Sequence, residues 1–325
     1  MIRNTADLGG MAFSSFIRLT IARHKFMNKH FLVFLFCLLS AASWAGPAHD
    51  RQFWKGIAEQ HYAVPEGETA SALAHELSAF LASPDPELRD NLTYSILTTW
   101  IRAGKLSDAD LISLSDEWRA NLKKNVGEAG NDTVLRRSFS ALCLSEIAAR
   151  DVKTPFLGPE RYHALLSDAL NYLSQERDLR GYDAKVGWIH STAHTADLLE
   201  ALAENAALSS SEQEKILNGI SERLATSKVI YTHGEQDRLA LAVMAIIERS
   251  DFQQKVFARW LEQMQEKDRA MWSLSPIPLE EMSRYQNDTY MLEALAARMA
   301  TRNAPTENSP AAETYKSVLK AVQQR

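Results

Sequence analysis

The chain has 325 residues, 46% hydrophobic and 24% charged, and is long enough to bury an ordinary core. Its formal net charge is −5, and the part from Gly46 onward holds 31 basic and 40 acidic residues, a net of −9. This acidic balance argues against nucleic acid or an anionic lipid surface as a partner, because both attract basic proteins. With only two cysteines, a disulfide framework is excluded.

The N-terminal stretch has the three parts of a secretory signal peptide. Met27–His30 is a short positive region, Phe31–Leu39 is apolar, and Ser43 and Ala45 are small residues suited to a cleavage site. The apolar run is too short to cross a bilayer, which takes about 20 residues. We therefore predict a signal peptide over residues 27–45 and a periplasmic or secreted protein with no stable membrane anchor after cleavage at Ala45.

Two further interpretations concern the same region. A lipoprotein signal at Cys37 is rejected, because Phe36 stands where a small residue is required. Residues 1–26 precede a better start at Met27, and we interpret them as an extension of the gene model.

Beyond the signal peptide, apolar residues recur every three or four positions, and period-two alternation is nearly absent. Helix-start signals stand at Ser107, Pro159 and Ser209. The only strand-like stretch is Val229–Tyr231, which is too short to build a sheet. The spacing predicts twelve helices, near residues 50–61, 68–82, 87–103, 108–123, 132–149, 159–175, 188–205, 211–226, 235–249, 251–267, 278–300 and 311–323.

These elements predict an all-α fold of about a dozen helices in antiparallel pairs. Short connections favour neighbours packed side by side, as in an α-solenoid of the HEAT or armadillo type or in a closed α/α arrangement. We expect one helical domain over residues 46–302. Residues 303–325 form a polar linker and a C-terminal helix that we expect to dock loosely or not at all.

The candidate site lies in the stretch Arg177–Leu202. On a helix, His190, His194 and Asp197 fall within an arc of roughly 60°. Asp197 is the only formally charged residue between Val186 and Leu199, so we interpret the helix as enclosed, with its polar stripe facing a groove.

Three interpretations of the stripe stay open. His190, His194 and Asp197 could bind a metal ion, completed by a residue of the turn His233–Asp237. A zinc site of the H-E-x-x-H type is excluded, because Ser191 follows the first histidine. The stripe could equally be a hydrogen-bonded layer in which acids pair with arginines, or a pocket without a metal.

Other sites fit structural roles or have no motif. Cys143 lies in an apolar helical segment and is expected in the core. The tryptophans at helical spacing are expected in the core too; they are Trp100, Trp118, Trp188 and Trp260. No serine-hydrolase, phosphate-binding or dinucleotide-binding motif occurs, so no cofactor is predicted.

The sequence resembles the bacterial family known as domain of unknown function 2785. The resemblance covers roughly residues 55–300 and is most specific in two blocks, E-R-D-L-R-G-Y at 176–182 and G-W-I-H-S-T-A-H-T-A-D-L-L at 187–199. Shorter pieces are L-R-D at 88–90, R-S-F-S-A-L at 137–142, E-Q-D-R-L-A at 235–240 and the helix around Asn287–Leu295. It implies an all-helical domain whose blocks converge in space, and it implies no activity.

The sequence therefore leaves two functional hypotheses, and whether the protein is an enzyme stays open. The first is an exported helical scaffold that binds a protein, peptide or small molecule in a groove. The alternative is a metal-assisted hydrolase built on His190, His194 and Asp197. The residues expected around the groove are Asp178, Arg180, Gly181, Trp188, His190, His194, Asp197, Asp237 and Arg238.

Overall fold

A computed structural model describes residues 49–302 and 310–325, which belong to one compact unit. The predicted signal peptide, the extension before it and the linker residues 303–309 lie outside the described residues. Within these ranges the fold is all-α, as predicted, with twelve α-helices. None of those helices has both the length and the apolar character that crossing a membrane requires.

The helices follow the predicted order closely. They are α1 Arg51–Glu59, α2 Ala70–Phe80, α3 Ser95–Arg102, α4 Asp108–Lys123, α5 Thr133–Lys153, α6 Gly158–Gln175, α7 Ser191–Glu204, α8 Ser210–Thr226, α9 Glu235–Ile247, α10 Gln254–Trp272, α11 Leu279–Arg302 and α12 Pro310–Gln323. A π-helical segment, Glu87–Tyr94, runs directly into α3. Two short strands, β1 Tyr182–Asp183 and β2 Gly187–Trp188, pair antiparallel.

Local signals explain where several helices begin. Ser107 and Asp110 form a reciprocal capping box at the start of α4, and Ser209 and Glu212 form another at α8. Pro159 occupies the first turn of α6, where its missing N–H costs nothing. These starts were predictable because the capping groups lie within three residues of the helix.

The helices form two layers whose neighbours follow chain order, as in an α-solenoid. In one layer α3, α5, α7, α9 and α11 pack each on the next, and in the other α4, α6, α8 and α10 do the same. The most extensive contacts are those of α7 with α5 and α9, and α6 packs on α7 from the other layer. Helix α7 therefore lies at the centre of the stack.

The core contains most of the residues expected there. Trp100, Trp118 and Trp260 are buried, and burial raises the pKa of the Cys143 thiol. The prediction for Trp188 was wrong, because this side chain is 43% exposed. It belongs to β2 rather than to a helix.

The start of α7 also differs from the prediction, because the residues just before it are not helical. The helix was expected from residue 188 but begins at Ser191. His190 precedes it in the left-handed region, with φ 48° and ψ 34°. The guanidinium of Arg89 holds the carbonyl groups of Val186 and Trp188, at 2.7 and 3.1 Å. Such a tertiary contact fixes non-helical backbone that apolar periodicity cannot reveal.

The C-terminal helix docks more firmly than expected. Helix α12 packs on α10 and α11 and buries Val318 and Ala321. The guanidinium of Arg325 lies 2.6 Å from the Asp268 carboxylate, and both side chains are buried. Apolar burial and a buried ion pair therefore hold this helix.

Candidate functional site

Three buried arginines hold the loop of residues 176–190, which precedes α7. Arg137 on α5 binds the Glu176 carboxylate through two hydrogen bonds, of 2.6 and 3.1 Å. Arg223 on α8 donates to the Glu176 carbonyl at 2.9 Å, and Arg89 binds the far end of the loop. All three side chains are essentially inaccessible to solvent. Two of these arginines, Arg89 and Arg137, belong to the sequence blocks described above, and together with Arg223 they position the loop.

Asp178 and Arg180 lie within this loop and bind each other. Their two side-chain hydrogen bonds are 2.8 and 2.6 Å long. The buried Asp178 carboxylate also accepts a hydrogen bond from the Gly130 N–H at 2.9 Å. The main-chain carbonyl of Asp178 accepts one from the Ser191 hydroxyl. The sequence placed Asp178 and Arg180 around the groove beside His194 and Asp197. In the structure they pair with each other and fix the loop instead.

Gly181 is required by close packing. Its carbonyl accepts from the N–H groups of Ile189 and His190, at 2.9 and 3.2 Å. A Cβ at this position would lie 2.6 Å from both Glu235 Oε1 and His233 Nδ1. Only glycine lets the loop approach the start of α9 so closely.

His190 belongs to a partly exposed group of rings that we call the aromatic cluster, made of Tyr182, Trp188, His190 and His233. The His190 ring stacks on Trp188 with centroids 4.4 Å apart, and Tyr182 meets Trp188 edge-on at 5.0 Å. His190 Nε2 lies 3.1 Å from the His233 carbonyl, so this nitrogen carries the proton. Burial lowers the pKa of His190, with the Glu235 carboxylate opposing it.

His194 is buried, and one serine fixes its tautomer. The Ser138 hydroxyl donates its single proton to the Ile189 carbonyl and lies 2.8 Å from His194 Nδ1. His194 Nδ1 must therefore donate to the serine oxygen, which leaves Nε2 as an acceptor in the neutral ring. Burial lowers the pKa of His194 well below its usual value, so the ring is neutral at pH 7.

Asp197, one turn further along α7, is paired with Arg238 of α9 at 2.6 Å. Burial raises the pKa of Asp197, and the arginine opposes that rise. Asp237, the neighbour of Arg238 in sequence, turns away and pairs with Arg298 of α11. Asp237 therefore lies outside the site that the sequence predicted for it.

A cleft of about 690 Å³, which we call the α7 cleft, opens beside His194, Asp197 and Arg238. Its floor is the one ridge of α7 that solvent reaches, since the other faces of this helix are buried. Its walls come from α3, α5 and α9. Eight charged residues line it, four acids (Glu146, Asp197, Glu200, Glu204) and four bases (Arg102, Arg150, Lys153, Arg238).

The sequence did not identify the α5 side of this cleft. Glu146 is buried in an apolar segment of α5 and accepts from Arg102 Nε at 2.7 Å and from the Tyr94 hydroxyl at 3.1 Å. A single acid among apolar helical residues was the available signal, because a buried carboxylate requires partners.

A second cleft, the loop cleft, has a volume of about 430 Å³. It is formed by the segments 129–130, 177–182 and 227–235, and it includes Asp178, Arg180 and Gly181. His190 contacts a residue of each cleft, with ring centroids 5.8 Å from His194 and 6.5 Å from His233. The predicted residues thus separate into two neighbouring sites.

The metal hypothesis finds no ligand arrangement in the described part of the chain. There, no group of three or more His, Cys, Asp or Glu side chains is placed to hold a metal ion. Of the three proposed ligands, His190 donates from Nε2 and Asp197 is committed to Arg238. The geometry instead resembles the hydrogen-bonded layer considered from the sequence.

Comparison with known proteins adds a family and no activity. A family model described as "Protein of unknown function (DUF2785)" matches residues 122–296, which include α7, the residues that line the loop cleft, and the α5 and α9 walls of the α7 cleft. Searches of curated proteins and of solved structures returned no match.

Proposed function

Because the chain belongs to this family of unknown function, DUF2785, we propose from the geometry alone that the protein is a binding module whose α7 cleft holds a short charged peptide. The carrying observation is the open ridge of α7. Helix α7 is packed in the apolar core on its other faces. Its one open ridge carries polar residues, among them His194, Asp197 and Glu204, and these line a single cleft. The proposal includes export, with the peptide met in the periplasm or outside the cell.

The size and charge of the cleft support a peptide. Its volume of about 690 Å³ lies within the range of about 300–1,000 Å³ that is usual for ligand pockets. Equal numbers of acids and bases line it, and two of the pairs, Glu146–Arg102 and Asp197–Arg238, are formed without a ligand. A ligand that carries both signs of charge can join these pairs without leaving a charge unmatched.

His194 adds a directional contact. Its neutral ring offers an acceptor at Nε2, while Ser138 fixes the opposite nitrogen as a donor. A ligand N–H, such as that of a peptide group, can donate to this acceptor. A ligand group that can only accept a hydrogen bond gains nothing at Nε2, so the cleft would favour ligands that carry a hydrogen-bond donor at this point.

The test uses a panel of two- to five-residue peptides of systematically varied charge, measured by thermal shift and calorimetry. We expect peptides with both signs of charge to raise the melting temperature, since a ligand that binds only the folded state stabilises it. Ala149→Trp fills the cleft from α5 and should weaken binding by about tenfold or more. Ala79→Trp, on the exposed side of α2, is the matched control and should bind as the wild type does.

Two results contradict the proposal. One is a panel in which no peptide shifts the melting temperature of the wild type. The other is equal binding by Ala149→Trp and the wild type, which would locate the ligand elsewhere.

A further inference from the structure

The segment between α8 and α9 has the alternating backbone hydrogen bonds of an edge strand, although it joins no sheet and bends at Val229 and His233. Asn287 on α11 binds it from one side, accepting from the Tyr231 N–H at 2.9 Å and donating to the Val229 carbonyl at 2.8 Å. The Tyr231 carbonyl accepts from Gln236, and the His233 N–H donates to Glu235. Alternate residues of the segment, 229, 231 and 233, are thus tied to the protein.

The residues between them are not tied through their backbone. Among the described residues, the N–H and C=O groups of Ile230 and Thr232 have no hydrogen-bond partner. In an extended segment, successive residues turn these groups to opposite sides. The tied residues therefore face α9 and α11, and Ile230 and Thr232 present two donors and two acceptors outward.

The outward side of this segment borders the loop cleft. Val229 and Ile230 line this cleft together with Tyr182 of β1, and all three are exposed apolar side chains. A free strand edge next to exposed apolar side chains is the kind of surface to which another chain adds a strand.

The charges that a ligand meets at this cleft are positive. Asp178 and Glu235 also line it, but both are buried and hydrogen-bonded. Arg177 is exposed, and its guanidinium contacts main-chain carbonyls, the nearest being that of Ser174 at 2.8 Å. Among the described residues no carboxylate lies within ion-pair distance of Arg177. The other cation that lines the cleft, Arg180, is paired with Asp178, so Arg177 is the one left for a ligand carboxylate.

We propose that the segment 229–233 and Arg177 form a docking edge for an extended segment of another protein in which apolar and acidic side chains alternate. The partner's backbone bonds the free groups of Ile230 and Thr232. Its apolar side chains cover Val229 and Tyr182, and a carboxylate pairs with Arg177. This site is separate from the α7 cleft, so the two proposals stand or fall independently.

The test begins with a displayed library of peptides about ten residues long in which apolar and acidic positions alternate. The tightest peptide is synthesised together with a copy N-methylated at alternate residues, which cannot donate to a strand edge. N-methylation should weaken binding by about tenfold or more. Amide exchange at Ile230 and Thr232, fast in the free protein, should slow on binding.

Charge is tested on the protein. Arg177→Glu should weaken the peptide by about tenfold or more and favour a copy in which lysine replaces the acids. Arg269→Glu, an exposed arginine of α10 that lines neither cleft, is the matched control and should bind as the wild type does.

Four outcomes overturn the proposal. The library yields no binder, the N-methylated peptide binds as well as the parent, or exchange slows at sites other than Ile230 and Thr232. Protection of these two amides on concentrating the protein alone would also overturn it, because the edge would then be an interface between copies.

Discussion

His194 links the stability of the fold to pH through a neutral imidazole. Burial depresses its pKa in the folded state, whereas in the unfolded chain a histidine titrates near pH 6.5. Below about pH 6.5 the unfolded chain takes up a proton that the folded ring refuses. The stability gained from the neutral ring is therefore present above that pH and lost as the pH falls.

His194→Gln is expected to remove this share of the acid sensitivity. Below about pH 6.5 the wild type should lose up to about 1.4 kcal/mol of unfolding free energy per pH unit through this residue, and the variant should not. The measurement is urea unfolding of both proteins at about pH 7.5 and about pH 5.5. Asp90 and Asp288, whose pKa values burial raises to about 6, act in the opposite direction but equally in both proteins. Parallel stability curves would contradict the assignment.

At the scale of elements, the loop of residues 176–190 packs so closely against the start of α9 that position 181 has no room for a larger side chain. Gly181→Ala is expected to lower the unfolding free energy by about 1–3 kcal/mol, because the methyl group would overlap Glu235 and His233. Trp188, on the same loop, should report the displacement through its fluorescence.

Gly56→Ala is the matched control for this substitution. Gly56 lies within α1, and apart from the helix's own backbone no atom lies within 4 Å of the place that an alanine methyl group would occupy. Alanine should therefore stabilise the helix by about 0.5–1 kcal/mol. Chemical denaturation compares the two variants. Equal small effects would mean that the loop shifts freely.

Elements were predictable where their signals are local. Apolar spacing and capping residues such as Ser107 and Ser209 lie within the helices they define, and those helices are found. The start of α7 was not predictable, because Arg89 fixes it from about 100 positions earlier in the chain, through hydrogen bonds spanning 97 and 99 positions. In the site, the pairing of Asp197 with Arg238 was among the expected possibilities, whereas that of Asp237 with Arg298 depends on where α11 packs.

At the scale of the whole molecule, each helix depends on its neighbours in the stack. In such an array stability is the sum of helix pairs and their interfaces, and the terminal pair has one interface fewer. Helix α12 closes the described stack, and a group of buried charges around Arg325 secures it. Arg325 contacts Asp268 and Asp288, which Arg284 also binds.

Arg325→Gln is expected to loosen α12 and cost about 3 kcal/mol, because Asp268 and Asp288 lose one of their two buried partners. Amide exchange across α12 should quicken while that of α7 stays slow. Lys316→Gln, an exposed change on the same helix, is the control and should leave both unchanged. Unchanged exchange in α12 after Arg325→Gln would show that apolar packing alone holds it.

The three arginines that hold the loop before α7 also set the order in which the protein can be completed. Arg89, Arg137 and Arg223 belong to three different helical segments, and Arg223 lies 47 positions after the backbone group that it binds. The loop lacks this third contact until α8 has been synthesised and packed, because Arg223 belongs to α8 and the entropy of closing the intervening chain is paid before the contact stabilises it. Both clefts border this loop or the helix that follows it. On a ribosome, a chain that had not yet reached α8 would therefore have neither site in its final form.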